Sequence, residues 1–118
     1  MNIALWVVQI LLAAVFLAAG GVKLLLPREE LLAKLPYTQD YTDAQNKGIG
    51  AAEVLGAIGL VLPWLTGIAP WLTPLAALGL AITMVGAIRV HARRDEPVIM
   101  NIVLLALALF VAVGRLLT

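Results

Sequence analysis

Gly48-Ile49-Gly50-Ala51-Ala52-Glu53-Val54-Leu55-Gly56-Ala57-Ile58-Gly59-Leu60-Val61-Leu62-Pro63 is apolar nearly throughout and holds one carboxylate. Gly50, Glu53, Gly56 and Gly59 fall three residues apart, so on a helix they form a slowly drifting stripe on one side. Small side chains let a neighbouring backbone come close, which makes that stripe a packing face. Glu53 lies on this face rather than on the side a lipid would touch. An ionised carboxylate among apolar residues needs a partner, and the rest of the chain has to supply it.

The composition puts this stretch in a membrane. Of 118 residues, 63% are hydrophobic and 13% charged, about half the charged share of a soluble domain. Mean hydropathy is +1.03. The charges cluster between four apolar runs: Ile3 to Leu26, about Gly48 to Leu65, about Pro70 to Val90, and Val98 to about Leu117. Each run is near the roughly 20 residues that a helix needs to cross the hydrocarbon. Leu17-Ala18-Ala19-Gly20 resembles a signal-peptide cleavage region. No basic segment precedes it and the apolar run continues beyond it, so an uncleaved span is expected.

Between the first two spans, Arg28 to Leu35 carries apolar residues on one side and charges on the other, and it reads as a short interfacial helix ended by Pro36. Tyr37 to Tyr41 reads as turn or loop, with tyrosines suited to the headgroup layer. The expected fold is therefore all-α: one domain, residues 1–118, an integral membrane four-helix bundle with one interfacial helix between spans 1 and 2.

Lys and Arg placement sets the expected orientation in a cell membrane. Lys23, Arg28, Lys34, Lys47, Arg89, Arg93 and Arg94 fall on one side, and only Arg115 on the other. Both termini are then expected outside, with loops 27–47 and 89–97 cytoplasmic. Trp6, Trp64 and Trp71 group at the opposite interface, as an aromatic belt does.

Small residues mark the helix-packing positions, expected at Gly20, Gly50, Gly56, Gly59, Gly79 and Gly86. Seams follow from spacings of three and four: Gln9, Ala13, Phe16, Gly20 and Lys23 in the first span, and Ala76, Gly79, Thr83 and Gly86 in the third. In the fourth they are Asn101, Leu105, Ala108, Ala112 and Arg115. The same stripes suit internal packing and oligomerisation equally. Gln9 suits a helix–helix hydrogen bond, and Arg115 can snorkel to the outer interface.

Each of the four spans places a polar group at the end carrying the charged loops. Lys23, Glu53, Arg89, His91 and Asn101 are the candidate ligand-binding residues of a polar pocket. Apolar walls with a few converging polar groups suit a lipid-soluble ligand with a polar head, such as a quinone or isoprenoid. Glu53 and His91 could exchange protons with it. The competing reading is a structural Glu53–Lys23 or Glu53–Arg89 ion pair that fixes helix register. His91, between Arg89 and Arg93, also fits a basic cluster facing headgroups.

Other chemistries are excluded. There is no cysteine for thiol chemistry, iron–sulfur or cysteine-held zinc. One histidine cannot make a bis-histidine haem site, and no metal-ligand spacing occurs. No phosphate-cradling glycine loop, nucleophile–base pair or basic–aromatic nucleic-acid patch is present. No catalytic residue can be named.

The motifs Phe16-x-x-x-Gly20-x-x-Lys23, Gly50-x-x-Glu53-x-x-Gly56-Ala57-x-Gly59-Leu60-x-x-Pro63, Pro74 to Leu80, Met84-x-Gly86-Ala87-x-x-x-His91-x-Arg93, Asn101-x-x-Leu104 and Gly114-Arg115 occur in this order. With them the chain resembles the DoxX family, and its DoxX-like branch in particular. The resemblance implies a four-helix membrane protein. Its relatives are linked to quinone-reducing complexes for sulfur compounds and to terminal quinol oxidases. Others are partners of soluble redox enzymes or assembly chaperones.

The expected function is an accessory subunit that binds a quinone or similar isoprenoid lipid non-covalently and supports a redox partner. The chain has no redox-active residue of its own. The alternative is a membrane scaffold or assembly chaperone for other membrane proteins, without small-molecule chemistry. Membrane lipid is a partner on either reading.

Overall fold

The computed structural model describes residues 1–118, and it is helical throughout, with no strands. Four long helices, α1 (Asn2–Leu25), α3 (Asp43–Thr66), α4 (Leu72–Arg93) and α5 (Ile99–Leu116), accompany one short helix, α2 (Arg28–Lys34). All four long helices are long and apolar enough to cross a membrane. At 1.5 Å per residue, the 24 residues of α1 reach about 36 Å, beyond the roughly 30 Å hydrocarbon layer. α1 packs chiefly on α3 and α4 chiefly on α5; α3–α4 and α1–α5 contacts close the ring.

The core is made by Leu12, Phe16, Leu60, Leu80, Met84 and Val111 with small residues such as Ala57, Ala77 and Ala108 between them. The outward faces are just as apolar: Leu55 is 68% exposed, Ile82 67% and Ile10 56%. Such a surface is stable against lipid and not against water. The protein is a multi-pass membrane protein.

The element ends follow local chemistry. α3 starts five residues before its apolar run, at Asp43. Thr42 accepts a hydrogen bond from the Gln45 amide and the Gln45 side chain accepts one from the Thr42 amide, closing a capping box. Pro63 lies inside α3 without breaking it. A proline lacks the N–H that would bond the carbonyl four residues back. Here that carbonyl, on Gly59, accepts instead from the Thr73 hydroxyl of α4 at 2.9 Å. Gly67 ends α3 in the left-handed region, φ 73°. Pro74 falls in the first turn of α4, where its missing N–H would have no helical partner. Tyr37 to Tyr41 is expected as turn or loop; Pro36–Asp40 forms a short 3-10 turn, which Tyr41 ends.

Two close approaches fix the bundle. At the α1–α3 crossing, a Cβ on Gly20 would come within 2.6 Å of the Gly50 carbonyl oxygen, and one on Gly50 within 2.8 Å of the Gly20 carbonyl oxygen. Only hydrogen fits at either place. Near the termini, Gln9 donates to the Leu60 carbonyl at 2.5 Å and accepts from Arg115 Nε at 2.6 Å, so one amide ties α1 to both α3 and α5. Gln9 thus makes an interhelical hydrogen bond, while Arg115 turns inward rather than snorkelling and is 3% exposed.

Candidate functional site

The Gly20–Gly50 crossing also sets the position of the two buried charges. Lys23 stands beside Gly50 and Glu53 beside Gly20, so each charged residue lies against the other helix's glycine. Lys23 Nζ donates to Glu53 Oε1 at 2.6 Å, with the residues 3% and 2% exposed. Short distance, burial and opposite charge make this a charge-assisted bond of the strong kind.

The pair is covered by the segment between α1 and α3. The Tyr37 ring lies 5.6 Å from Lys23 Nζ. Its other neighbour is His91, with ring centroids 4.7 Å apart and tilted at 55°. His91 Nδ1 is 2.9 Å from Glu96 Oε1. Arg94 then joins Glu96 at 3.3 Å to Asp40 at 3.0 Å, which ties the loop after α4 to the 3-10 turn. Behind the turn, buried Asn46 donates to the Thr38 carbonyl at 3.0 Å. The turn is therefore held across this end of the bundle from both α3 and the α4–α5 loop.

The five expected pocket residues do not all converge. Lys23 and Glu53 meet directly. His91 reaches Lys23 only through Tyr37. Asn101 is half-buried and donates to Met84 Sδ at 3.8 Å, so it stands behind a wall residue rather than in the wall. Arg89 is exposed and makes no ion pair, which leaves Glu53 with Lys23 alone. Tyr37, Tyr41, Thr83 and Met84 were not expected in the site. The available clue was geometric: a short amphipathic helix joining two neighbouring spans must lie across their ends, and it carries Tyr37 with it.

A cavity of about 200 Å³ opens beside the pair, with Lys23, Glu53, Tyr41, Thr83, Met84 and Gly86 in its wall. It adjoins an apolar groove of about 460 Å³ between α3 and α4, along Ala52, Gly56, Gly59, Gly79 and Leu80. Thr83 lines both. The glycines divide accordingly. A Cβ on Gly56 would strike Leu80 and one on Gly59 would strike Ala76, so these two pack. Gly79 and Gly86 are exposed, and a Cβ there would meet nothing within 4 Å. Inside this bundle they leave space rather than bring helices together. The face of α4 that packs instead carries Ala77, Leu80, Ala81 and Met84.

Chemically, the site offers an ammonium that can donate to a carbonyl or hydroxyl head, a carboxylate that can accept from one, and an apolar groove that shares Thr83 with the cavity beside them. No group of three or more His, Cys, Asp or Glu side chains is placed to hold a metal ion.

The DoxX-like family matches residues 7–112, nearly the whole chain. Neither the comparison with curated proteins nor that with solved structures gave a match. Four apolar spans, the Gly20–Gly50 crossing with its buried Lys23–Glu53 pair, and this match lead to one conclusion: the chain belongs to the DoxX-like family.

Proposed function

We propose that the protein is an accessory membrane subunit that holds a quinone or similar isoprenoid lipid in the α3–α4 groove, in support of a redox partner. The observation that carries the reading is the groove's end-to-end polarity. Its length is apolar, and at Thr83 it meets a small cavity walled by the buried Lys23–Glu53 pair. A ligand with a long apolar tail and a polar head matches that layout, since a few placed polar groups fix orientation while apolar walls bury the rest.

Lys23 would donate to a head oxygen. Glu53 would accept from a hydroxyl and hold Lys23 in place. Tyr37 would keep water from the pair. A bound quinone would supply the electron-carrying chemistry that no side chain here has; the residues bind it, orient it and shield it.

The test is binding of a short-tail benzoquinone to purified protein in detergent, wild type beside Gly86→Leu. A Cβ at 86 meets nothing within 4 Å, and residue 86 lines the cavity beside the pair, so a leucine there narrows the cavity without a clash at its branch point. The expected result is unchanged thermal stability with binding weakened at least about tenfold, the cost of losing a site for a few apolar contacts. Equal binding by both proteins would remove the cavity beside the pair as the seat of the polar head.

The scaffold reading draws on one observation of its own. Gly79 and Gly86 are exposed on α4, where a helix of another membrane protein could approach closely. Gly86→Leu would then release a co-purifying protein and leave the lipid content unchanged.

A further inference from the structure

We infer that the end of the bundle opposite the Lys23–Glu53 pair holds a second site, where Arg115 receives the phosphate of an anionic phospholipid. Arg115 is 3% exposed. Its Nε donates to Gln9 Oε1 at 2.6 Å and its Nη1 to Asn2 Oδ1 at 2.9 Å. Both acceptors are neutral. The indoles of Trp64 and Trp6 flank the guanidinium, with ring centroids 4.5 and 5.5 Å from Cζ. A guanidinium has five N–H donors, so two are used here, and Nη2 is buried with no partner at all.

The missing acceptor cannot come from another side chain. Arg115 takes part in no ion pair. The seven carboxylate side chains, Glu29, Glu30, Asp40, Asp43, Glu53, Asp95 and Glu96, belong to α2, the 3-10 turn, α3 up to Glu53 and the α4–α5 loop, in the other half of the bundle. A buried cation without a counter-charge is costly. The surroundings already lean toward an anion. Asn2 opens α1, whose first turn has neither an acidic residue nor a side-chain cap, so its free amides carry the positive end of the helix dipole. Arg115 Nη1 reaches this turn through Asn2, and Nη2 is its partner in the same planar fork. Guanidinium forks suit phosphate oxygens taken two at a time.

The lipid rather than a free ion is indicated by a second feature. An almost wholly apolar groove of about 470 Å³ runs along α5 from Phe110 past Gly114 to Met1 and Leu117. Met1 and Gly114 in its wall are the chain neighbours of Asn2 and Arg115, so the groove lies at the same end of the bundle as the fork.

The experiment is native mass spectrometry of the purified protein with equimolar phosphatidylglycerol and phosphatidylcholine of matched chains. Wild type is expected to retain phosphatidylglycerol about fivefold over phosphatidylcholine, roughly what one basic side chain near a charged headgroup is worth. Asn2→Asp is the decisive variant. Residue 2 is exposed, the change is isosteric, and the new carboxylate lies at the 2.9 Å contact with Nη1. It should keep or raise thermal stability and abolish the preference, because the chain then supplies its own anion. Arg115→Met should abolish it too, and Asn2→Asp keeps the inference testable if that variant does not fold. No preference in the wild type, or the same preference in Asn2→Asp, would overturn the inference. Millimolar inorganic phosphate should leave the lipid bound; displacement would overturn the lipid assignment in favour of a free anion.

Discussion

Lys23 and Glu53 depend on each other more than the bundle depends on either. Removing one partner of a buried pair leaves an uncompensated charge and costs about 3–5 kcal/mol, whereas replacing both is often nearly neutral. Lys23→Met should therefore lower thermal stability sharply, and Lys23→Met with Glu53→Gln should restore most of it. The measurement is a double-mutant cycle in detergent. Additive losses would mean that the 2.6 Å contact does not couple the two groups. Thr73 gives a second test at this scale. Its hydroxyl takes the Gly59 carbonyl that Pro63 leaves free. Thr73→Val keeps the shape and orphans a half-buried carbonyl, so it should cost about 1 kcal/mol in an unfolding measurement. In a Pro63→Ala background the same change should cost much less, because the helix can then satisfy Gly59 itself.

Among the elements, the first three spans show what small residues do and do not reveal. Gly20, Gly50, Gly56 and Gly59 were readable from spacing because each faces a neighbouring helix. Gly79 and Gly86 have the same spacing, but their stripe lies to one side of the larger Ala77, Leu80, Ala81 and Met84 face, which buries more apolar surface. Residue size alone cannot separate a packed glycine from one that leaves a groove open. Gly20→Leu should accordingly prevent stable folding, and Gly79→Leu should leave thermal stability unchanged; comparing the two melting temperatures checks this. The start of α3 was hidden for another reason. Hydropathy marks where the lipid ends, at about Gly48, while the capping box marks where the helix begins, at Asp43. Thr42→Ala should cost about 1 kcal/mol and speed amide exchange at residues 43–46. The site was half legible. Lys23 and Glu53 stood out as charges in apolar runs, but Tyr37 joins them only through the fold of a segment that looks like an ordinary loop.

At the scale of the whole molecule, the two ends of the bundle are chemically unlike. One carries seven of the eight basic residues and a strapped polar network; the other carries Arg115 among neutral amides and indoles. That asymmetry predicts the end with residues 27–47 and 89–97 to be cytoplasmic. Single cysteines in this cysteine-free chain can be read cleanly: an impermeant reagent on intact cells should label position 118 and spare position 95, and the reverse would overturn the orientation. The proposed ligand would lie in the α3–α4 groove with its head in the cavity beside the buried pair. That placement is tested most directly by mass spectrometry of organic extracts from purified wild type, Glu53→Gln and Gly86→Leu. One quinone or isoprenoid should be enriched in the wild type and depleted in both variants. Bulk phospholipid alone, in equal amounts from all three, would contradict it.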